Sequence, residues 1–175
     1  ARINLQHYLW HDGQDYNLHP SIPTDRECLR VADFGSGTCI WLIEMAQKLH
    51  PSARLDALDV SHRQSPPIEA LPRNVNLRTH NCLSEPDEDM FAVYDIVHIQ
   101  NFNSVVREND PTSVINNALK MLKPGGYLSW GEYDFATWNI TTMATATDYN
   151  NELAKLLYHN ATFGETTSPN FQVDE

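Results

Sequence analysis

The nine residues Val31-Ala32-Asp33-Phe34-Gly35-Ser36-Gly37-Thr38-Cys39 constrain the fold more than any other stretch of the chain. The apolar run from Leu29 to Phe34 reads as a buried strand, and the glycines after it stop that strand. Ile40 to Leu49 follows with apolar residues at three- and four-residue spacings, an amphipathic helix that His50-Pro51 ends. A strand turning into a helix through glycines lets a ligand approach the backbone, and the helix start offers it unpaired N–H groups. Asp33 stands two residues before the first glycine. A carboxylate there repels a pyrophosphate and welcomes a cationic amino acid.

The same alternation continues downstream. Arg54 to Val60, Val75 to Arg78, Tyr94 to Ile99 and Tyr127 to Tyr133 read as strands. Val114 to Leu122 and Glu152 to Tyr158 read as helices, with breaks at Ser65-Pro66-Pro67 and in the acidic loop Ser84 to Asp89. This pattern predicts an α/β fold, a Rossmann-like parallel sheet with helices on both faces. Ligands of such sheets bind beyond the carboxyl ends of the strands. Residues 1–27 are polar and rich in histidine and aromatic side chains. They hold a short helix from Arg2 to Trp10 and the proline loop His19-Pro20-Ser21-Ile22-Pro23, and are expected to form an N-terminal lid. Residues 28–135 are expected to be the core, and 136–175 a helical segment on the substrate side.

Charge narrows the choice of partner. The 175 residues carry a formal net charge of −11, which argues against nucleic acid or an anionic membrane surface and leaves a small molecule as the expected substrate. No stretch is long and apolar enough to span a bilayer. Cys28, Cys39 and Cys82 are odd in number and lack CxxC spacing, so neither a disulfide framework nor a metal site is expected, and a reducing cytoplasm is the default setting. A homodimer and a regulatory protein partner both stay open.

Two further segments complete the pattern. Tyr94-Asp95-Ile96-Val97-His98-Ile99 ends in the polar pair Gln100-Asn101, and Leu122-Lys123-Pro124-Gly125-Gly126-Tyr127-Leu128 closes the helix before the last strand. With the glycine turn, these segments resemble class I S-adenosylmethionine-dependent methyltransferases, and Gly37-Thr38-Cys39-Ile40-Trp41, His98 and Gly131-Glu132 resemble the group that tailors or regulates fungal secondary metabolites. The resemblance covers about 100 residues, Leu29 to Tyr133. No strand pair is evident after Tyr133, where this family adds a final helix and an antiparallel pair.

The resemblance implies S-adenosyl-L-methionine as cofactor. It implies that Asp33, Gly35, Ser36, Gly37 and Thr38 hold its methionine part. It also implies that Gln100 and Asn101 emerge near the methionine end and the reactive methyl. Asp59, with Val60 after it, ends the second strand, where a carboxylate either binds both ribose hydroxyls or caps the next segment. Asn81 and Cys82 end the third strand, where relatives carry an acid for the adenine amino group; an amide can accept from that group and donate to a ring nitrogen. Cys39 replaces the third glycine of the family loop and either narrows the pocket or packs into the helix start. His98 is expected to be a packed or hydrogen-bonded core residue and is given no catalytic role. His19 and Glu132 are the candidate bases, against alternatives of an exposed loop histidine and a solvated strand-end carboxylate. Tyr8, Trp10, Trp130, Tyr133 and Trp138 are candidates to line an aromatic pocket.

The expected function is methyl transfer to a small secondary metabolite, oxygen being the expected acceptor. The alternative is a methyltransferase-like protein that binds the cofactor without methylating, as a cyclase or a regulatory partner. An NAD-dependent oxidoreductase is disfavoured by Asp33 and by Cys39, where a nucleotide motif needs glycine or alanine.

Overall fold

The computed structural model describes residues 2–133 apart from 107 and 109. The expected helix Glu152 to Tyr158, the 136–175 segment and Trp138 lie outside them. The elements run α1 (Arg2–Gln14), β1 (Arg30–Phe34), α2 (Ile40–Lys48), β2 (Arg54–Asp59), β3 (Val75–Thr79), β4 (Tyr94–Gln100), α3 (Thr112–Met121) and β5 (Leu122–Gly131). All neighbouring strands pair in parallel, in the order β3-β2-β1-β4-β5. The order reverses between β1 and β4. That is where a ligand of an open parallel sheet binds.

The period-two alternation of strand side chains divides the core in two. Val31, Leu55, Ala57 and Ile96 pack with Trp41, Leu42 and Met45 of α2 on one face. Ala32, Phe34, Leu58, Val97 and Ile99 pack with Val114, Ala118 and Met121 of α3 on the other. Central β4 is buried at every position except its last, as expected of a strand covered on both sides.

The breaks read at Ser65-Pro66-Pro67 and in the acidic loop Ser84 to Asp89 fall where no α-helix forms between strands. The β2–β3 and β3–β4 connections hold only single 3-10 turns, Ile68–Ala70 and Glu88–Met90. Pro66, Pro67 and Pro72 explain the first, since proline removes a helical donor and restricts the residue before it. Four strands end elsewhere than expected. β2 stops at Asp59, β3 runs to Thr79 and leaves Asn81-Cys82 in the following loop, β4 runs on to Gln100, and β5 stops at Gly131, so that Glu132 and Tyr133 lie just past it. α1 continues past Trp10 to Gln14.

The two family-like segments on β4 and β5 turn out to be one structural unit. Lys123 donates to Asp95 at 2.8 Å, beside the Arg30 backbone N–H at 2.9 Å and Arg26 at 3.3 Å. Burial raises the Asp95 carboxyl, but these donors outweigh it and hold the group below its ordinary value. Gly126 lets β5 lie close to β4: a Cβ there would stand 3.1 Å from the Asp95 carbonyl oxygen.

Candidate functional site

The glycine turn takes the conformation its residues suggest. Gly35 and Gly37 have φ of +70° and +51°, and a Cβ on Gly35 would lie 2.6 Å from the Phe102 ring. Cys39, in place of a third glycine, is also left-handed at φ 60°, a conformation costly for a side chain. It is fully buried in the α2-side core, so its thiol packs into the helix start. Burial pushes that thiol up to about 11 and the Cys82 thiol up to about 12, so neither is a thiolate nucleophile at neutral pH.

Asp59 joins this turn directly. Its carboxylate accepts from the Gly37 N–H at 2.9 Å and the Ser61 N–H at 3.0 Å, fixing the loop from the end of β2. Val60 beside it is 66% exposed. Asn81 accepts from the Leu83 N–H at 3.1 Å, an Asx turn, and the Cys82 carbonyl accepts from Asn117 at 2.9 Å. The Ser36 and Thr38 hydroxyl oxygens are buried in the glycine turn without a hydrogen-bond partner.

Asp33 is buried, and its carboxylate meets Nδ1 of His98 at 2.7 Å. The two are register partners on β1 and β4. The His98 ring lies flat on the Trp41 indole, with 3.7 Å between centroids and 2° between planes. Sequence reasoning gave His98 no role. The contact follows from strand pairing across 65 residues, and the one available signal was a polar ring at mid-strand in an otherwise apolar run.

Two adjoining cavities open over this dyad. One, of about 260 Å³, is lined by Asp33, Gly35, Ser36, Gly37, Gln100 and Asn101, under Arg2 and Ile3 of α1. The other, of about 380 Å³, lies between the N-terminal segment and β5, and is lined by His11, Tyr16, His19, Tyr127 and Ser129 among others. His7, Trp10, Trp41, His98 and Gln100 border both.

The N-terminal segment is fixed over these cavities. Glu44 of α2 accepts from Asn17 at 2.6 Å and lies 3.2 Å from His7 Nε2, and the Trp41 indole donates to the Asn17 carbonyl at 2.8 Å. Burial raises the Glu44 carboxyl, yet Asn17 and His7 bring it below its ordinary value. Trp10 covers Gly131, where a Cβ would come within 2.7 Å of its ring, and stacks edge-on with Tyr133.

The two candidate bases differ in setting. His19 is exposed on the larger cavity, its Nδ1 2.6 Å from the Ser21 hydroxyl. Glu132 Oε1 accepts from the Phe102 N–H at 2.7 Å and the Trp130 indole at 2.6 Å, tying the exits of β4 and β5 together. Its Oε2 is buried without a partner. Asn101 takes φ 56° just past β4 and donates its backbone N–H to the Gly131 carbonyl at 3.0 Å. Tyr8 is exposed, whereas Trp130 both borders the larger cavity and packs against the α3-side core. Among the described residues no cluster of His, Cys, Asp and Glu could hold a metal, and no helix is long and apolar enough to cross a membrane.

Residues 32–128 match the model of the Methyltransferase domain family. Methyltransferase grgD of Penicillium sp is 32% identical over 146 residues, covering 79% of this chain and 50% of its own length. N-methyltransferase tcpN of Claviceps purpurea is 28% identical over 135 residues, covering 75% and 47%. The chain thus spans about half the length of the curated relatives it matches. Among solved structures, a SAM-dependent methyltransferase from Aquifex aeolicus superposes with a TM-score of 0.54 at 14% identity, over 80% of this chain and 74% of that one, a likeness of fold.

Proposed function

Because the chain belongs to the class I S-adenosylmethionine-dependent methyltransferase family, in the group of fungal secondary metabolism, we propose that it transfers a methyl group from S-adenosylmethionine to a small metabolite. One observation carries this reading. The glycine-turn cavity adjoins a second cavity, with five side chains bordering both, so a donor in one and an acceptor in the other come together along that common border. In-line displacement depends on holding two reactants in line, which paired cavities do.

The residues of the first cavity fit the donor. Gly35 and Gly37 leave the backbone open to close approach, and the unpartnered Ser36 and Thr38 hydroxyls supply polar contacts for its methionine part. Asp33, Gln100 and Asn101 border the same space, the carboxylate suiting an ammonium group. Asp59 serves the ribose hydroxyls from the end of β2, exposed Val60 offers the adenine an apolar surface, and Asn81 with Cys82 closes its edge. The bound cofactor supplies an electrophilic methyl group on a sulfonium.

The larger cavity takes the acceptor. Aromatic and imidazole side chains line it, which suits a planar molecule with polar substituents. Oxygen is the favoured acceptor atom, since a hydroxyl gives up a proton on methylation and two histidines, His7 and His98, border both cavities. α1 and the segment to Pro23 act as a lid that excludes water from both reactants. Incubating the purified protein with S-adenosylmethionine labelled in its methyl group and an extract of fungal metabolites tests this. Label in a small product, with S-adenosylhomocysteine released in equal amount, is the expected result. Cofactor binding with no labelled product from any extract would leave a fold that binds the donor without using it.

A further inference from the structure

We propose that His98 is the general base of this site and Asp33 the residue that positions it. The proposal rests on the methyl-transfer reading and extends it to the acceptor's proton. The ring is fixed by two contacts of different kinds, the 2.7 Å bond from Nδ1 to Asp33 and the flat stack on Trp41. A carboxylate accepts from Nδ1–H, so in the neutral ring the lone pair lies on Nε2. Nε2 has no partner among the described residues, and the ring borders both cavities. A lone pair held rigidly between the donor and acceptor spaces is where a departing proton needs to go.

His98 suits this role better than either candidate read from the sequence. Both Nδ1 of His19 and Oε1 of Glu132 hold neighbouring backbone in place, and His19 is exposed to solvent. Neither borders the glycine-turn cavity, while His98 does.

The step balances. Nε2 takes the proton of the acceptor hydroxyl as the oxygen's electron pair forms the new bond to the methyl carbon. The carbon–sulfur bond breaks and its electron pair stays on sulfur, leaving a neutral thioether. The positive charge that began on the sulfonium ends on the imidazolium, beside the Asp33 carboxylate that stabilises it. The acceptor class follows: a molecule with an acidic hydroxyl, such as a phenol or enol, rather than a neutral amine that attacks with its own lone pair.

Long-range proton–nitrogen spectra of the protein labelled with [15N]histidine test this without any substrate. At neutral pH the expected His98 pattern is the neutral ring protonated on Nδ1. In Asp33→Asn, whose amide can donate to Nδ1, the proton is expected to move to Nε2. A wild-type ring protonated on Nε2, or charged at neutral pH, would overturn the proposal. His98→Asn supplies the second arm, since its amide can keep the bond to Asp33 while removing the base. It should bind S-adenosylhomocysteine within about threefold of wild type and transfer label to phenols at least about 100-fold more slowly, the low end for a general base. Label transfer at the wild-type rate by His98→Asn would also overturn it. Failure of the wild-type protein to bind S-adenosylhomocysteine would count against the methyl-transfer reading instead, and the spectra would still decide the tautomer.

Discussion

The two ends of the sheet treat buried charge differently. At the amino end, Asp56 is fully buried and saturated: Arg30, Arg54, Asn76 and the Tyr94 hydroxyl all donate to it, at 2.9–3.4 Å, and of this cluster Arg30 Nε alone is buried without a partner. Burial and the neighbouring Asp56 carboxylate raise the Tyr94 phenol, so it stays protonated and keeps donating. At the carboxyl end, Asp33 has one side-chain partner, and Ser36, Thr38 and Glu132 each bury an oxygen with none. Buried polar atoms are normally paired, and leaving one unpaired costs about 1–3 kcal/mol. One end is built to hold the strands together. The other keeps bonding capacity in reserve for a ligand.

The largest effect should come from the saturated end. Asp56→Asn is expected to cost about 3–5 kcal/mol, because it strands two arginines beside a neutral amide, and chemical denaturation measures it. A variant with near wild-type stability would mean that the cluster is decoration rather than a clamp. Gly37→Val comes next. It forces a β-branched residue to positive φ beside Ile3, and S-adenosylhomocysteine binding by calorimetry should weaken by about 3 kcal/mol or more, roughly 100-fold. The fold should survive, which far-ultraviolet circular dichroism checks. Asp59→Ala should weaken the same binding by about 1.5–3 kcal/mol, the range for hydrogen bonds to a charged group. Unchanged affinity in a folded Asp59→Ala would reduce that carboxylate to a loop tie.

Cys39→Gly should show the smallest effect. Relief of the left-handed residue gains about 1 kcal/mol, while the loss of a buried side chain costs about as much. The net change in unfolding free energy is therefore expected within about 1 kcal/mol, with cofactor affinity unaltered. A loss of several kcal/mol would show that the thiol fills the core more critically than its place at the helix start suggests.

The sequence made the strand cores and the glycine turn legible because both are local. Leu29 to Phe34 is apolar over a strand's length, and the residues that stop it are glycines. The Tyr94 and Lys123 segments were readable as motifs, but not as a pair, since the Lys123–Asp95 contact exists only once β5 lies beside β4. The Asp33–His98 dyad was hidden for the same reason. Its members are adjacent only through parallel pairing, and a histidine between Val97 and Ile99 looks like any buried strand residue. The breaks at Ser65-Pro66-Pro67 and Ser84 to Asp89 were legible as well, since prolines and a run of acids both discourage a helix, and only single 3-10 turns form there. The helix α1, expected to stop at Trp10, runs on to Gln14 through Asp12-Gly13, a pair that ordinarily marks a turn.

The contrast between the two ends is tested most directly by hydrogen–deuterium exchange with and without S-adenosylhomocysteine. Slower exchange is expected in the segments around Asp33 to Thr38, Asp59 to Ser61, Asn81 to Leu83 and Gln100 to Ser104, and in α1 above them. The first residues of β2 and β4, around Asp56 and Tyr94, should exchange at the same rate in both states. Protection centred on the amino end of the sheet, or no protection at ligand concentrations that saturate family members, would contradict the account.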